Sequence, residues 1–320
     1  MLPFPDLGVN MGMAFRFAPI LVPLVFLAAA SAADRVLIFT RTAGVRENNI
    51  ADTRKALKAF YESKGLSADT SESGALMSDT GLARYQAVVF LKNTGDFLND
   101  AQQVAVEKWF KAGGGLQIIH AALDAEMNWS FYGKLIGGAW FQSLPGDSTT
   151  KHTIVVEDTA DGSVARILAE HPDRRWSRTD EIYGFRANPR AAKDPAMHIL
   201  ATVDESSYLK NGAAPKDHPM SWYCAYQGGR AWTTAMGHVT DAFAPRPNAA
   251  NKDSLFLYHL WGGMQFLLGQ PAVRIAPAEA PKARAASLRG FGSLGARFGK
   301  DLDKDVKGRE APVHQETEIR

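Results

Sequence analysis

Two histidines follow apolar runs that are typical of buried strands. His120 comes directly after Leu116–Ile119, and His238 follows the run 230–236. Two alanines after His120 indicate a tight strand-to-helix turn, which predicts a side chain exposed over the edge of a sheet, as at a nucleophile elbow. An imidazole at such a position can act as a general acid or base, or can bind a metal ion. The alternative is a histidine that is only hydrogen-bonded in a polar crevice.

Carboxylates and aromatic side chains accompany both histidines. The catalytic candidates are His120, His238, Asp124 and Glu181, and the substrate-binding candidates are Trp129, Tyr132, Asp180, Tyr183, His218, Trp222 and Arg46. Aromatic platforms suit the apolar faces of sugars, and carboxylates suit sugar hydroxyls and acid–base chemistry. A divalent metal such as zinc is a further option with His120 and His238 as ligands, because imidazole suits zinc. His259 lies in an apolar helical pattern, which favours a packed and hydrogen-bonded core histidine.

Several well-known catalytic motifs are absent from the sequence. There is no H-E-x-x-H, C-x-x-C, P-loop or G-x-S-x-G pattern. Gly113–Gly115 precedes a strand, so it indicates a helix stop rather than a dinucleotide loop. Cys224 lies inside a strand pattern rather than at a strand-to-helix turn, which argues against a nucleophilic thiol.

The first part of the chain alternates strand and helix patterns. Apolar runs at 35–40, 87–91 and 116–119 predict buried strands, with one helix over 49–64 and another from Asn99 to Gly113 between them. This alternation predicts parallel βαβ units in a doubly wound α/β sheet. In such sheets the ligand site lies beyond the carboxyl ends of the strands.

The second part of the chain is richer in aromatic residues and short strands. Strands are predicted at 152–156, 197–203 and 230–236, and a last helix from about Ser254 to Leu268. Since no linker separates the two parts, we expect one domain over residues 33–269. Residues 270–320 are polar with few apolar anchors, which predicts a disordered tail.

The amino terminus has the pattern of a secretion signal. Arg16 precedes an apolar run from Phe17 to Ala30, which ends in Ala-Ser-Ala at residue 32. The run is shorter than the roughly 20 residues that span a bilayer. Residues 1–32 are therefore predicted to be a signal peptide of a periplasmic or secreted protein. An uncleaved membrane anchor is the alternative.

Composition excludes several classes of protein. The chain has 36 basic and 34 acidic side chains and a net charge of +2, without a basic stripe, so no nucleic-acid partner is expected. A single cysteine excludes an internal disulfide framework. A carbohydrate of low molecular weight is the expected partner, and a membrane only through an uncleaved signal segment.

An ordered set of motifs resembles the trehalose-utilisation (ThuA-like) family over about Arg35 to Gly269. The motifs are Phe39–Gly44, Gly114–Gly115, Ile119–Ala122, Asp124, Trp129, Tyr132–Gly133, Gly137–Gly138, Arg178–Glu181, Tyr183, Asn188–Pro189, Leu200–Glu205, His218–Pro219, Ser221–Trp222, Gly228–Arg230 and Gly237–His238. The resemblance implies the class I glutamine amidotransferase-like fold, a flavodoxin-like three-layer sandwich with a central, mostly parallel sheet. It implies a role in sugar metabolism only loosely.

The resemblance also bears on mechanism. True amidotransferases carry a cysteine nucleophile at the elbow that His120 occupies here, and a histidine at the late strand end that His238 occupies. Without the cysteine, glutamine hydrolysis through a thioester is excluded. The family usually has Phe-Arg-His after the Ala-Gly turn, whereas this chain has Val45-Arg46-Glu47. Glu47 must replace that histidine, or the activity differs.

Two hypotheses follow. The first is an exported enzyme, a hydrolase or isomerase, that acts on a sugar or modified glycoside by histidine–carboxylate acid–base or metal-assisted chemistry. The second is a non-catalytic carbohydrate-binding or accessory module, which the missing nucleophile and the Glu47 departure favour. A third, weaker option is a scaffold whose tail binds a partner.

Overall fold

A computed structural model of the chain describes residues 34–143, 149–209, 215–244 and 255–269. The predicted signal peptide and the predicted polar tail lie outside these residues. None of the helices in the described ranges is long and apolar enough to cross a bilayer.

The first part of the chain forms a parallel β-sheet. Strands β1 (Arg35–Phe39), β3 (Ala87–Leu91) and β4 (Gly115–Ile119) confirm the three predicted strands. The side chains of β3 and β4 are buried throughout, as expected for strands covered on both faces. Strand β2 (Ser67–Ser71) was not predicted, because Ala68 is the single apolar residue in its sequence Ser-Ala-Asp-Thr-Ser. It pairs with β1 at the edge of the sheet, where a polar strand is tolerated.

Helices connect these strands near the predicted positions. Helix α1 (Ile50–Ser63) follows β1, the short α2 (Asp79–Leu82) precedes β3, and α3 (Asp100–Lys111) follows it. Helix α3 begins with a capping box: the Asn99 side chain accepts a hydrogen bond from the Gln102 amide, and the Gln102 side chain accepts one from the Asn99 amide. Helix α1 leads from β1 to β2 and α3 leads from β3 to β4 in the opposite direction. Right-handed crossovers therefore place them on opposite faces of the sheet.

The later elements complete and extend the sheet. They are α4 (Ser130–Leu135), β5 (Phe141–Gln142), β6 (Thr149–Val156), α5 (Ala165–Glu170), β7 (Arg175–Glu181), β8 (Gly184–Phe185), β9 (His198–Asp204), β10 (Pro219–Tyr226), β11 (Gly229–Thr234) and α6 (Leu255–Leu267). Strands β6, β9 and β11 correspond to predicted strands, and α6 to the predicted last helix. Strands β5 and β8 form a separate antiparallel pair.

The order of the large sheet is β2-β1-β3-β4-β11-β10-β9-β6-β7. The five strands from β2 to β11 are parallel in the flavodoxin-like order, which confirms the fold class. Strands β10, β9, β6 and β7 continue the sheet beyond β11, and each pairs antiparallel with its neighbours. The sequence patterns did not predict this extension.

Helix α6 packs on the centre of the sheet through small residues. A Cβ on Gly263 would lie 2.5 Å from the Trp232 ring, and one on Gly262 would lie 2.1 Å from the Ser163 backbone. Gly263 lets α6 approach β11 closely, and Gly262 lets it approach the segment before α5. The buried Gln117 side chain of β4 hydrogen-bonds to Tyr61 of α1 and to the Leu260 carbonyl of α6. Helices α1 and α6 therefore cover the same face of the sheet.

Candidate active site

The two strand-end histidines meet at the carboxyl edge of the parallel sheet. Strands β4 and β11 are neighbours, with Ile119 opposite Thr234, so His120 and His238 leave the sheet side by side. Their facing nitrogens, His120 Nε2 and His238 Nδ1, are 3.2 Å apart. The sheet order, in which β4 is next to β11, therefore brings together two histidines that are 118 residues apart in the chain.

His120 is buried rather than exposed, which corrects the sequence-based expectation. Its exposed fraction is 0%, and its φ of 55° puts it in the left-handed region, which histidine tolerates better than most residues. The ring Nδ1 donates a hydrogen bond to the Ala235 carbonyl at 2.8 Å, so Nε2 faces the cluster. The Tyr183 hydroxyl lies 3.1 Å from Nε2. Burial raises the pKa of Tyr183 well above its usual value, so the phenol stays a donor.

Two carboxylates complete the cluster around the imidazoles. Glu181 Oε2 is 2.9 Å from His238 Nδ1 and 3.2 Å from His120 Nε2. Glu47 lies on the other side, with Oε2 3.5 Å from His238 Nδ1 and Oε1 3.5 Å from His120 Nε2. The hydrogen bond that His238 donates to Glu181 raises the pKa of His238 despite partial burial. Two ring nitrogens this close cannot both present lone pairs unless a proton or a cation lies between them.

Lys92 is a member of the site that the sequence analysis missed. It follows β3 directly, is fully buried, and has a φ of 57° like His120 after β4. Its ammonium donates to Glu47 Oε2 at 2.6 Å, to Asn49 Oδ1 at 2.8 Å and to the His238 carbonyl at 2.7 Å. Burial lowers the pKa of Lys92, although Glu47 opposes that effect. A lone lysine directly after an apolar strand was the signal that could have identified it.

Asp180 lies behind the cluster and organises it from there. Its buried carboxylate pairs with Arg178 at 2.7 Å and accepts the amide hydrogens of Gly237, His238 and Val239 at 2.8–3.2 Å. Burial alone would raise the pKa of Asp180, but Arg178 and these amides hold it below the usual value. The carboxylate therefore fixes the loop that carries His238, a role other than the substrate contact that was predicted.

Asp124 faces a cavity rather than the histidines. The 3₁₀ turn that begins at His120 ends at Asp124. The cavity has a volume of about 530 Å³ and is lined by Val45, Asp96, Asp124, Met127, Asn128 and Arg186 among others. Burial raises the pKa of Asp124, and the positive charge of Arg186 opposes this. Because Val45 is two residues from Glu47, the loops that build the cluster also build this cavity.

The other predicted binding residues lie outside the cluster. Trp129 and Tyr132 are buried and stack on each other with ring centroids 5.7 Å apart. Trp222 is fully buried, and His218 bridges Glu205 and the Tyr183 carbonyl. Arg46 pairs with Glu72 at 2.8 Å. Of the substrate-binding candidates, Tyr183 contacts the His120 ring and Asp180 contacts the His238 backbone amide.

Two expectations about single residues agree with the structure. His259 is fully buried and hydrogen-bonded to Ser163 and Ser221. Cys224 lies in β10, and burial raises the pKa of its thiol to about 12, which suppresses the reactive thiolate.

Comparison with known proteins adds a family and a fold. The model of the ThuA family, described as trehalose utilisation, matches residues 35–267. No protein of curated function matches the chain at a significant level.

Two solved structures are similar in fold. A ThuA-like protein from Bacteroides uniformis has a TM-score of 0.58 at 17% identity, over 74% of this chain and 93% of that chain. A ThuA-like protein from Parabacteroides merdae has a TM-score of 0.54 at 18% identity, over 76% and 93% of the two chains. At these identities the likeness concerns the fold.

Proposed function

The chain belongs to the ThuA family, and on that premise we propose that it is an enzyme of carbohydrate metabolism that acts on a sugar or modified glycoside. The observation that carries this proposal is the convergence of two imidazoles and two carboxylates, His120, His238, Glu47 and Glu181, at the carboxyl edge of the sheet. Ligand sites of doubly wound sheets lie at this edge.

The chemistry of the cluster supports proton transfer or metal assistance. Glu181 and His238 are in direct contact, and a positioned acid–base pair of this kind contributes about 10²–10⁴-fold to a reaction rate. Lys92 and Asp180 hold Glu47 and the loop of His238 in place, so the reacting groups are fixed before a substrate binds.

The cavity beside the cluster supports a small polar substrate. Its volume of about 530 Å³ is within the range of small-molecule sites. Asp96, Asp124, Asn128 and Arg186 supply carboxylates, an amide and a guanidinium for hydroxyl groups, while Met127 supplies apolar surface.

Export is the second part of the proposal, and it rests on the sequence of residues 1–32. We expect the mature chain to begin after Ala32 and to accumulate outside the cytoplasm. Cell fractionation with sequencing of the mature amino terminus tests this, and an intact chain found only in the cytoplasm contradicts it.

The activity is tested with the purified chain and a panel of neutral disaccharides and modified glycosides, with products followed by mass spectrometry. The double variant H120N/H238Q should lose turnover, because both imidazoles are removed while asparagine tolerates the left-handed backbone at residue 120. H198Q is the matched control, since His198 pairs with Asp158 on the surface away from the cluster. Unchanged turnover in the double variant overturns the site. Binding of a sugar without any product would identify a carbohydrate-binding module instead.

A further inference from the structure

We infer that Glu47, His120 and His238 form a three-ligand zinc site whose fourth position faces Glu181. This inference rests on the function proposed above for the role of the metal in turnover. Metal binding itself stands on the geometry of the cluster. It adds Glu47 as a third ligand to the two histidines that the sequence suggested, and it gives Glu181 the role of a neighbouring base.

The distances between donor atoms fit a tetrahedral ion. In a zinc site with bonds of about 2.0–2.1 Å, neighbouring donor atoms lie about 3.3–3.4 Å apart. His120 Nε2 and His238 Nδ1 are 3.2 Å apart, and each lies 3.5 Å from an oxygen of Glu47. One oxygen or nitrogen from each of these residues falls within 4.8 Å of the others. Two edges of a zinc tetrahedron, from His120 Nε2 to His238 Nδ1 and from His120 Nε2 to Glu47 Oε1, are thus present.

Each ligand is held by a partner that leaves its donor atom directed at the ion. His120 donates a hydrogen bond from Nδ1 to the Ala235 carbonyl, as metal-bound histidines commonly do with their second ring nitrogen. Lys92 binds Glu47 through Oε2, so Oε1 remains for the ion. The backbone of His238 is fixed at its amide by Asp180 and at its carbonyl by Lys92 and Asn49. This arrangement is preorganised for a cation.

The ligand types select the metal. Two imidazoles favour zinc over magnesium and calcium, which prefer oxygen ligands. Two histidines and one glutamate are also the protein ligands of several catalytic zinc sites, in which water occupies the fourth position. Glu181 Oε2, 3.2 Å from His120 Nε2 and 2.9 Å from His238 Nδ1, stands at that open side. A zinc ion held by these ligands would lower the pKa of a bound water, and Glu181 would be placed to accept the proton of that water.

The first test is titration of the chelator-stripped full chain with zinc chloride in a calorimeter. We expect one equivalent of zinc to bind, magnesium chloride to give no comparable binding, and E47Q and H238Q each to weaken zinc binding at least tenfold. H198Q, the surface control, should bind zinc like the wild type. Circular dichroism verifies that each variant is folded. H238Q is the variant expected to disturb folding least, because the His238 side chain is 37% exposed to solvent. The absence of saturable zinc binding, or equal affinity in folded H238Q, overturns the inference.

The second test separates the role of Glu181 from that of the ligands. E181Q should keep one equivalent of zinc but lose turnover at least a hundredfold. If E181Q loses zinc as fully as E47Q does, Glu181 is a ligand and the three-ligand assignment is wrong. Turnover that survives complete removal of metal refutes the zinc inference and leaves the proposed enzyme standing. Zinc binding without turnover of any carbohydrate would support the zinc site and contradict the proposed enzyme.

Discussion

His120 and His259 are both fully buried histidines, yet they serve different regions of the molecule. His259 donates or accepts within the core, with Nδ1 2.9 Å from the Ser163 carbonyl and Nε2 2.8 Å from Ser221 Oγ. His120 also engages both nitrogens, but its Nε2 faces Glu47, Glu181 and His238. Burial and complete hydrogen bonding therefore do not distinguish a site histidine from a structural one. The charge and titratability of the partners do.

The largest expected difference between the two histidines is in turnover. H120N should lower the turnover of the proposed carbohydrate substrate by about 10²–10⁴-fold, because it removes a proton-transferring or metal-binding group. H259Q should change turnover by less than about threefold, since His259 contacts none of the cluster residues. Steady-state kinetics on both variants measures this. A comparable loss of turnover in H259Q would contradict the distinction between a site histidine and a core histidine.

Acid destabilisation is the next effect, and it belongs to the core histidine. Burial lowers the pKa of His259 from 6.5 to about 4, and the positive charge of Arg178 adds to this. Between these two values only the unfolded chain binds the proton, so stability rises with pH and is lost as pH falls from 6.5 towards 4. The loss is up to about 3 kcal/mol.

Urea unfolding at pH 7 and pH 4.5 tests this contribution, with H259L as the comparison. The wild type should lose about 2–3 kcal/mol more than H259L over this range. His152, whose pKa burial also lowers to about 4, remains in both proteins and acts in the same direction. Equal losses in the two proteins would contradict the assignment to His259.

The smallest effects come from removing one hydroxyl partner of each histidine. Y183F deletes the phenol 3.1 Å from His120 Nε2 and should lower turnover about threefold to tenfold with little change in stability. S221A deletes the hydroxyl beside His259 and should lower the free energy of unfolding by about 1 kcal/mol without affecting turnover. Kinetics and urea unfolding on both variants give the four values. If Y183F lowered stability alone and S221A lowered turnover alone, the assignment of His120 to the site and His259 to the core would be wrong.

The parallel half of the fold was predictable because apolar strands and capped helices follow local rules. The runs ending at Phe39, Leu91 and Ile119 and the capping box at Asn99 all correspond to observed elements. The antiparallel extension was not, because strand order depends on contacts between distant segments. The polar β2 gave no apolar signal, since an edge strand does not need one.

The candidate site was predictable in part for the same reason. Strand-end positions identified His120 and His238, and the structure brings them together with Glu181 and Tyr183. Trp129 and Tyr132 were chosen by residue type, which does not tell a sugar platform from a core ring. The role of Asp180 depends on three backbone amides of a loop far along the chain, and composition cannot show that.

The backbone at the strand ends sets which cluster positions can change during evolution. His120 and Lys92 occupy left-handed conformations that exclude most side chains, whereas Glu47 lies in a loop position without that restriction. Glu47, which stands where the resemblance implies a histidine, occupies this less restricted position. A donor exchanged there leaves the scaffold intact, so the loop after β1 is the place where relatives can diversify their chemistry by single substitutions.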